Sequence, residues 1–428
     1  MAPPLANWQF ITGIAVNILF VHQSFPGQYV HVVRALAAQA GHQLVALGIE
    51  PCLVSLPAGV HYIRYNLKRG NGTDVHPLAA ETETKVIRAE ACAAAAHQLR
   101  QQGFMPDLIC AHPGWGESLF LGDIWPGAPT LSYQEFYYAP RGLDTDFDPE
   151  LQGIPNWASC AKVRMKNAYL QLALEASRWN ITPTAFQRST FPCHWQQRIS
   201  AIHDGIDCQA AAPNPSPRAL TLADGTLLQP GEPIVTFVNR RLEPTRGCHT
   251  FIRAIPYLQE LAPTARIVVV GETRGVSYGA ACPNGEWKDH FLRDIEGRYD
   301  SSRVHFLGTI PYQQFLPLLQ LSACHVYLTY PFVLSWSLLE AMACACPVVG
   351  SATAPVQEVI RDGENGLLVD FFSATDLAIA VADLLAHRER AQQLGAAARA
   401  TVSKQYSLEV CLPRQLSLMQ LVASGALG

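Results

Sequence analysis

Asn17-Ile18-Leu19-Phe20-Val21 is an unbroken apolar run one strand long. A strand buried on both faces reads this way, without the alternation of a half-exposed one. A polar loop over 22–29, with Pro26-Gly27, follows it. Residues 30–40 then carry a helical pattern, and Gln43 to Gly48 reads as a second strand. The alanine-rich stretch 79–102 predicts a long helix, and 106–111 a strand after it. Strand, helix and strand in this order predict an α/β fold with a parallel sheet.

Past the middle the pattern restarts. Pro213, Pro215, Pro217, Pro230 and Pro233 give residues 204–233 the composition of a linker. Apolar runs then return at 234–238, 267–271, 304–308, 325–328 and 347–350, with helix-length spacings between them. The pattern predicts two α/β domains, 1–203 and 234–405, joined by 204–233, with a final segment at 406–428. Two such domains facing each other enclose a cleft at the carboxyl ends of their strands, the usual ligand position in these sheets.

The 428 residues exceed what one ordinary core organises, which agrees with two domains. Hydrophobic residues make up 49% and charged residues 15%, values that exclude a disordered chain or a coiled coil. A net charge of -4 gives no general attraction to nucleic acid. The 12 cysteines include no CxxC pair, and Cys344-Ala-Cys346 is too tight for zinc-ligand spacing. They read as small buried hydrophobes in a reducing compartment. The first 16 residues lack the basic region of a secretory signal and read as a short extension ahead of the first strand. No stretch approaches the ~20 apolar residues that span a bilayer. A cytoplasmic chain, with at most peripheral contact at the inner face of the membrane, is expected.

Two segments carry candidate chemistry. After the apolar run ending at Leu328, the polar turn 329–334 leads into a helix beginning near 335–339, and a helix N-terminus is an anion site. One turn in, Glu340 can accept from both hydroxyls of a diol, though its position also suits an ordinary helix residue. The second segment is Asn239-Arg240-Arg241-Leu242-Glu243-Pro244-Thr245-Arg246-Gly247. Guanidinium groups at a strand end can clamp a diphosphate, and a surface arginine cluster would read the same. Asp144, Asp146 and Asp148 lack the glycine and closing glutamate of a calcium loop, so a solvated acidic loop and no metal are expected there. Neither a Gly-Lys-Ser/Thr phosphate loop nor a Gly-x-Gly-x-x-Gly turn occurs after the first strand, which argues against an NTPase and a nicotinamide dehydrogenase.

In combination these segments resemble the retaining GT-B glycosyltransferases of family 4, the group 1 enzymes. Arg241-Leu242 with Arg246-Gly247 is similar to that family's Arg-Leu…Lys-Gly element, with arginine for lysine. Leu338-Leu339-Glu340-Ala341-Met342-Ala343 and Pro347-Val348-Val349 resemble its Glu-x7-Glu region. Glu358, Asp362-Gly363 and Asn365-Gly366 continue the likeness, and 181–184 and 203–207 resemble the end of its first domain. One departure stands out. Phe332 occupies the place of the first glutamate, which in the family contacts the donor sugar. With Arg241-Leu242-Glu243-Pro244-Thr245-Arg246-Gly247, Val276-Ser277-Tyr278-Gly279 and the run from Tyr330 to Glu340, the chain looks like a bacterial branch of the family that shares this departure.

The resemblance implies two Rossmann-like domains, with the last helix returning to the first. It implies a metal-independent transfer of a sugar, with retention, from a nucleoside diphosphate to a hydroxyl. No cofactor is implied, and the donor expected is a UDP- or GDP-sugar. The acceptor stays open among glycan, lipid-linked and small-molecule hydroxyls. His112, Arg241 and Arg246 become the candidate catalytic residues. Gly27, Arg241, Arg246, Ile310, Ser335, Trp336, Ser337 and Glu340 would hold the donor. Glu117 and Glu135 fall on the acceptor side, with a helix cap as the alternative role for Glu117. Two other readings remain: a sugar-nucleotide epimerase of the same architecture, and an inactive sugar-nucleotide-binding partner, which Phe332 motivates.

Overall fold

The computed structural model describes residues 16–427. The extension expected over residues 1–16 lies, apart from Val16, outside them. The chain divides into two compact units, one holding the chain up to Gly205 and again from Leu408, the other Ile206–Ser407.

The first unit is built on seven strands, β1 (Asn17–Val21), β2 (Gln43–Gly48), β3 (Val60–Arg64), β4 (Leu108–Ala111), β5 (Thr130–Tyr133), β6 (Trp179–Thr182) and β7 (Ile199–Ala201), in the order β3-β2-β1-β4-β5-β6-β7. Every neighbouring pair is parallel. The unbroken apolar run of β1 has a physical reason. Ile18 and Phe20 pack on one face with Val32, Val33 and Leu36, while Leu19 and Val21 pack on the other with Cys92 and Leu99. The helix Leu408–Ala423 covers the first of these faces through Leu412, Leu416, Met419 and Val422. Gln415 Nε2 donates to the His203 carbonyl at 2.7 Å.

The second unit begins with a short antiparallel hairpin, β8 (Leu220–Thr221) and β9 (Leu227–Leu228). The proline-rich stretch is therefore structured, with Leu222 and Leu228 buried in the same core as Ile234. Six parallel strands follow, β10 (Ile234–Arg241), β11 (Arg266–Glu272), β12 (Val304–Phe306), β13 (Cys324–Tyr327), β14 (Val348–Ser351) and β15 (Leu367–Val369), in the order β12-β11-β10-β13-β14-β15. In both sheets the strand order reverses beside the first strand, the position where doubly wound sheets open a crevice. The fold and the centres of the strands read from the sequence agree with the structure, while β3, β5, β6, β7 and β15 were not read and the ends shift. The first helix stops at Ala37 and β10 runs on to Arg241.

Candidate functional site

In the second unit the carboxyl ends of β10 and β11, the turn after β12 and the helix after β13 surround a cavity of about 480 Å³. The pairing of β10 with β11 is irregular between Val238 and Arg241. Such an irregularity re-aims side chains at a strand end, and Asn239, Arg240 and Arg241 all reach the cavity wall. Arg241 also donates to the Arg274 carbonyl. Opposite stand Ser335, Trp336, Ser337 and Glu340, with Ile310 and Tyr312 beside them.

The helix Trp336–Ala343 forms because Ser335 caps it, its backbone extended at φ -87 and its side chain accepting from the Ser337 N–H. Leu338, Leu339 and Met342 turn into the core, which leaves Glu340 facing the cavity. Burial lifts the Glu340 carboxyl from 4.5 to about 7, and a hydrogen bond from the Tyr312 hydroxyl, 2.7 Å to Oε1, holds it lower than burial alone would.

Arg246 is placed differently. It is 7% exposed, and its Nη1 donates to Val333 O at 2.7 Å, Thr329 Oγ1 at 3.0 Å and Tyr327 Oη at 3.3 Å. The Tyr327 hydroxyl in turn accepts from the Ser335 N–H at 2.8 Å. Arg246 thus pins the loop that delivers the capped helix, and it is not among the residues lining the cavity. Phe332 lies within that loop, buried, 4.7 Å from the Tyr278 ring, and the Arg246 guanidinium lies 5.7 Å from it. Buried Glu243 accepts from the Ser277 and Tyr278 N–H groups and so anchors the loop carrying Tyr278.

In the first unit His112 follows β4 and is 1% exposed. Its ring stacks between Trp115, at 4.5 Å, and Tyr133, at 5.4 Å, with His22 at its edge. The Gly114 N–H donates to Nδ1 at 3.1 Å, which assigns the proton to Nε2, a buried atom without a hydrogen-bond partner among the described residues. Burial pushes the His112 pKa well below 6.5, and burial takes His22 to about 4, so both rings are neutral at neutral pH. Gly27 sits against His22 with φ +50, where an added Cβ would meet the imidazole at 2.3 Å. Close approach therefore requires glycine there.

Glu117 is 1% exposed and pairs with Arg88 at 2.9 Å. It does not cap the next helix, whose first turn has no side-chain cap. Arg88 also donates to Gln23 at 2.5 Å, and Lys85 to the Gly114 carbonyl at 2.9 Å. Glu135 is half-buried, and its carbonyl accepts from Gln187 at 2.7 Å. The acidic loop departs from its solvated reading. Asp148 is buried and accepts from the Glu150 and Leu151 N–H groups, and burial raises Asp144 to about 6. Asp148, with Asp146 accepting from the Gly142 N–H, orders the turn because its backbone donors need acceptors. Among the described residues no group of three His, Cys, Asp or Glu is placed to hold a metal.

Sequence reasoning missed Tyr312, Lys85 and Arg88. Tyr312 opens a helix with no motif around it. Lys85 and Arg88, with Glu81, repeat at helical spacing on the inward side of the helix Ala80–Gln101, and that inward charged stripe was a readable signal.

Residues 40–211 match the family model described as Glycosyl transferase family 4 group, and 222–401 match Glycosyl transferases group 1. A D-inositol 3-phosphate glycosyltransferase of Nocardia farcinica is 28% identical over 203 residues, 47% of this chain and 42% of that protein. A GDP-mannose-dependent alpha-(1-6)-phosphatidylinositol monomannoside mannosyltransferase of Mycolicibacterium smegmatis is 29% identical over 224 residues, 50% of this chain and 54% of that one. The chain therefore matches about half or less of the length of these curated relatives. Among solved structures, sucrose-phosphate synthase from Thermosynechococcus elongatus superposes with a TM-score of 0.69 at 20% identity, covering 96% of this chain and 100% of that one. The fold they share is GT-B.

Proposed function

The chain belongs to the group 1 glycosyltransferases, and from that premise we propose that it moves a sugar from a nucleoside diphosphate to a hydroxyl acceptor, with retention and without a metal. The observation that carries this reading is one cavity in which the Glu340 carboxylate, the Arg241 guanidinium and the capped N-terminus of the helix Trp336–Ala343 converge. The Glu340 carboxylate accepts the ribose hydroxyls. Arg241 and the positive end of the capped helix Trp336–Ala343 take the diphosphate charge, which grows as the sugar departs. Ile310 and Trp336 supply apolar wall for the base. Arg246 acts through the loop it pins.

In the reaction the bond from the anomeric carbon to the phosphate oxygen breaks, and a bond to the acceptor oxygen forms on the same face. The acceptor proton passes to the departing phosphate. His112, a neutral imidazole with a proton on Nε2, is assigned to the sugar end, and Gly27 to the loop beside the diphosphate. Glu117 and Glu135 are assigned to the acceptor side, Glu117 through its hold on Arg88. A UDP- or GDP-sugar is the proposed donor, and the mannosyltransferase relative, named for GDP-mannose, supports that class.

Incubating the purified chain with UDP- and GDP-sugars tests the reading. Release of the nucleoside diphosphate, unchanged by EDTA, is expected. No release from any donor would remove the activity and leave a binding protein, while EDTA loss restored by magnesium would remove metal independence.

A further inference from the structure

Tyr312 opens the helix Tyr312–Leu321 and donates its phenolic hydroxyl to Glu340 Oε1 at 2.7 Å. Both side chains line the same cavity. A carboxylate offers about four lone-pair sites, and Tyr312 uses one of them. Among the described residues nothing else hydrogen-bonds to the Glu340 side chain, so both oxygens keep room to accept from a diol.

Other groups around the pair are few. Cys344 ends Glu340's own helix. Arg399, from the helix Arg388–Gln405, reaches the Ala343 carbonyl. Asp207 lies on the Tyr312 side, and Arg240, Arg241 and Glu272 line the cavity from the strand ends. Burial and the Tyr312 bond are the two influences that set the Glu340 carboxyl.

We propose that Tyr312 is a positioning residue for nucleotide recognition: its hydroxyl turns Glu340 into the cavity and favours the ionised carboxylate that a ribose diol needs. This rests on the cavity being the nucleotide site. The sign follows from the bond. A donor to the carboxylate favours the charged form, so removing it raises the Glu340 pKa and makes binding more sensitive to acid.

The test is calorimetric titration of the full chain with UDP-glucose, GDP-mannose and ADP-glucose between about pH 5.5 and about pH 8.5. Their diphosphates are esterified at both ends and do not titrate in this range, so a pH dependence there belongs to the protein. The parent should lose affinity as pH falls through about 7. In Tyr312→Phe the midpoint should rise by about one unit, so the ionised fraction near pH 7 drops from about a half to about a tenth. Affinity should then be about fivefold weaker near pH 7 and within about 1.5-fold of the parent near pH 8.5. Glu340→Gln should bind weakly with no pH dependence. An equal Tyr312→Phe deficit at both pH values would make Tyr312 an apolar wall only and overturn the proposal. So would tighter binding by Tyr312→Phe, or pH dependence persisting in Glu340→Gln. Failure of the parent to bind any of the three at any pH would instead sink the nucleotide reading, and the inference with it.

Discussion

Burial lifts the Glu340 carboxyl to about 7, so the ionised group is unfavourable to the unliganded chain. The unfolded carboxyl titrates near 4.5 and the folded one near 7. Between these values the folded chain holds more protons, and stability falls as pH rises through the window. Below the lower value both states are protonated and the difference vanishes. Glu340→Gln should therefore raise the unfolding free energy by about 1–3 kcal/mol near pH 8 and leave it unchanged near pH 4. The same variant should weaken nucleoside-diphosphate binding by about 1.5–3 kcal/mol. Urea denaturation at the two pH values, with calorimetry beside it, checks both, and equal stabilisation at both pH values would contradict the assignment. Arg246 behaves in the opposite sense. Arg246→Ala leaves Val333 O, Thr329 Oγ1 and the Tyr327 hydroxyl without their shared donor. It should destabilise by about 2–4 kcal/mol in denaturant, and Arg246→Lys by less, because one ammonium can still reach part of the set. The sequence places arginines at both 241 and 246. Which one turns to a cavity and which to a loop is decided by the strand irregularity and the turn between them, and neither has a signature in the residue pattern.

At the scale of elements, the turn from β10 into the helix Cys248–Leu261 depends on Gly247. Its φ is +70, and an added Cβ would lie 2.4 Å from Leu328 Cβ. Gly247→Ala should cost about 2–4 kcal/mol through backbone strain and collision with the chain just past β13, read as an earlier urea midpoint. An unchanged midpoint would mean the turn relaxes freely. Strands such as β1 and β10 were legible because burial on both faces imposes a continuous apolar run. Position in the sheet does not decide it alone: β12 was read although it lies at an edge, while β5 and β6 inside the first sheet were not, nor were β3, β7 and β15. Val60-His61-Tyr62-Ile63-Arg64 forms β3 at the sheet edge with two exposed positions, and β7 is only three residues long. Short edge strands are specified by the neighbour they pair with more than by their own pattern.

For the molecule as a whole, the chain's last helix supplies core to the unit that contains its first strand. Leu412, Leu416, Met419 and Val422 are buried against that unit's sheet and first helix. Nothing in the pattern of Leu408–Ala423 says which unit it packs on, because an apolar helix face fits either. Truncation after Ser407 should strip hydrogen-exchange protection from β1 and β4–β6 while β10–β15 keep theirs, since each unit has its own core. Unchanged protection in β1 would show that the helix is dispensable. Among the described residues no helix is long and apolar enough to cross a membrane.

The cavity at the ends of β10 and β11 is proposed to hold the nucleoside diphosphate of a sugar donor. A thermal-unfolding screen of the parent and Glu340→Gln against UDP-, GDP-, ADP- and TDP-sugars tests it most directly. A donor at 100 times its dissociation constant stabilises the parent by ~2.7 kcal/mol. A clear shift with one nucleotide class is expected, cut to about half or less in Glu340→Gln. No shift with any of the four, or equal shifts in parent and variant, would contradict it.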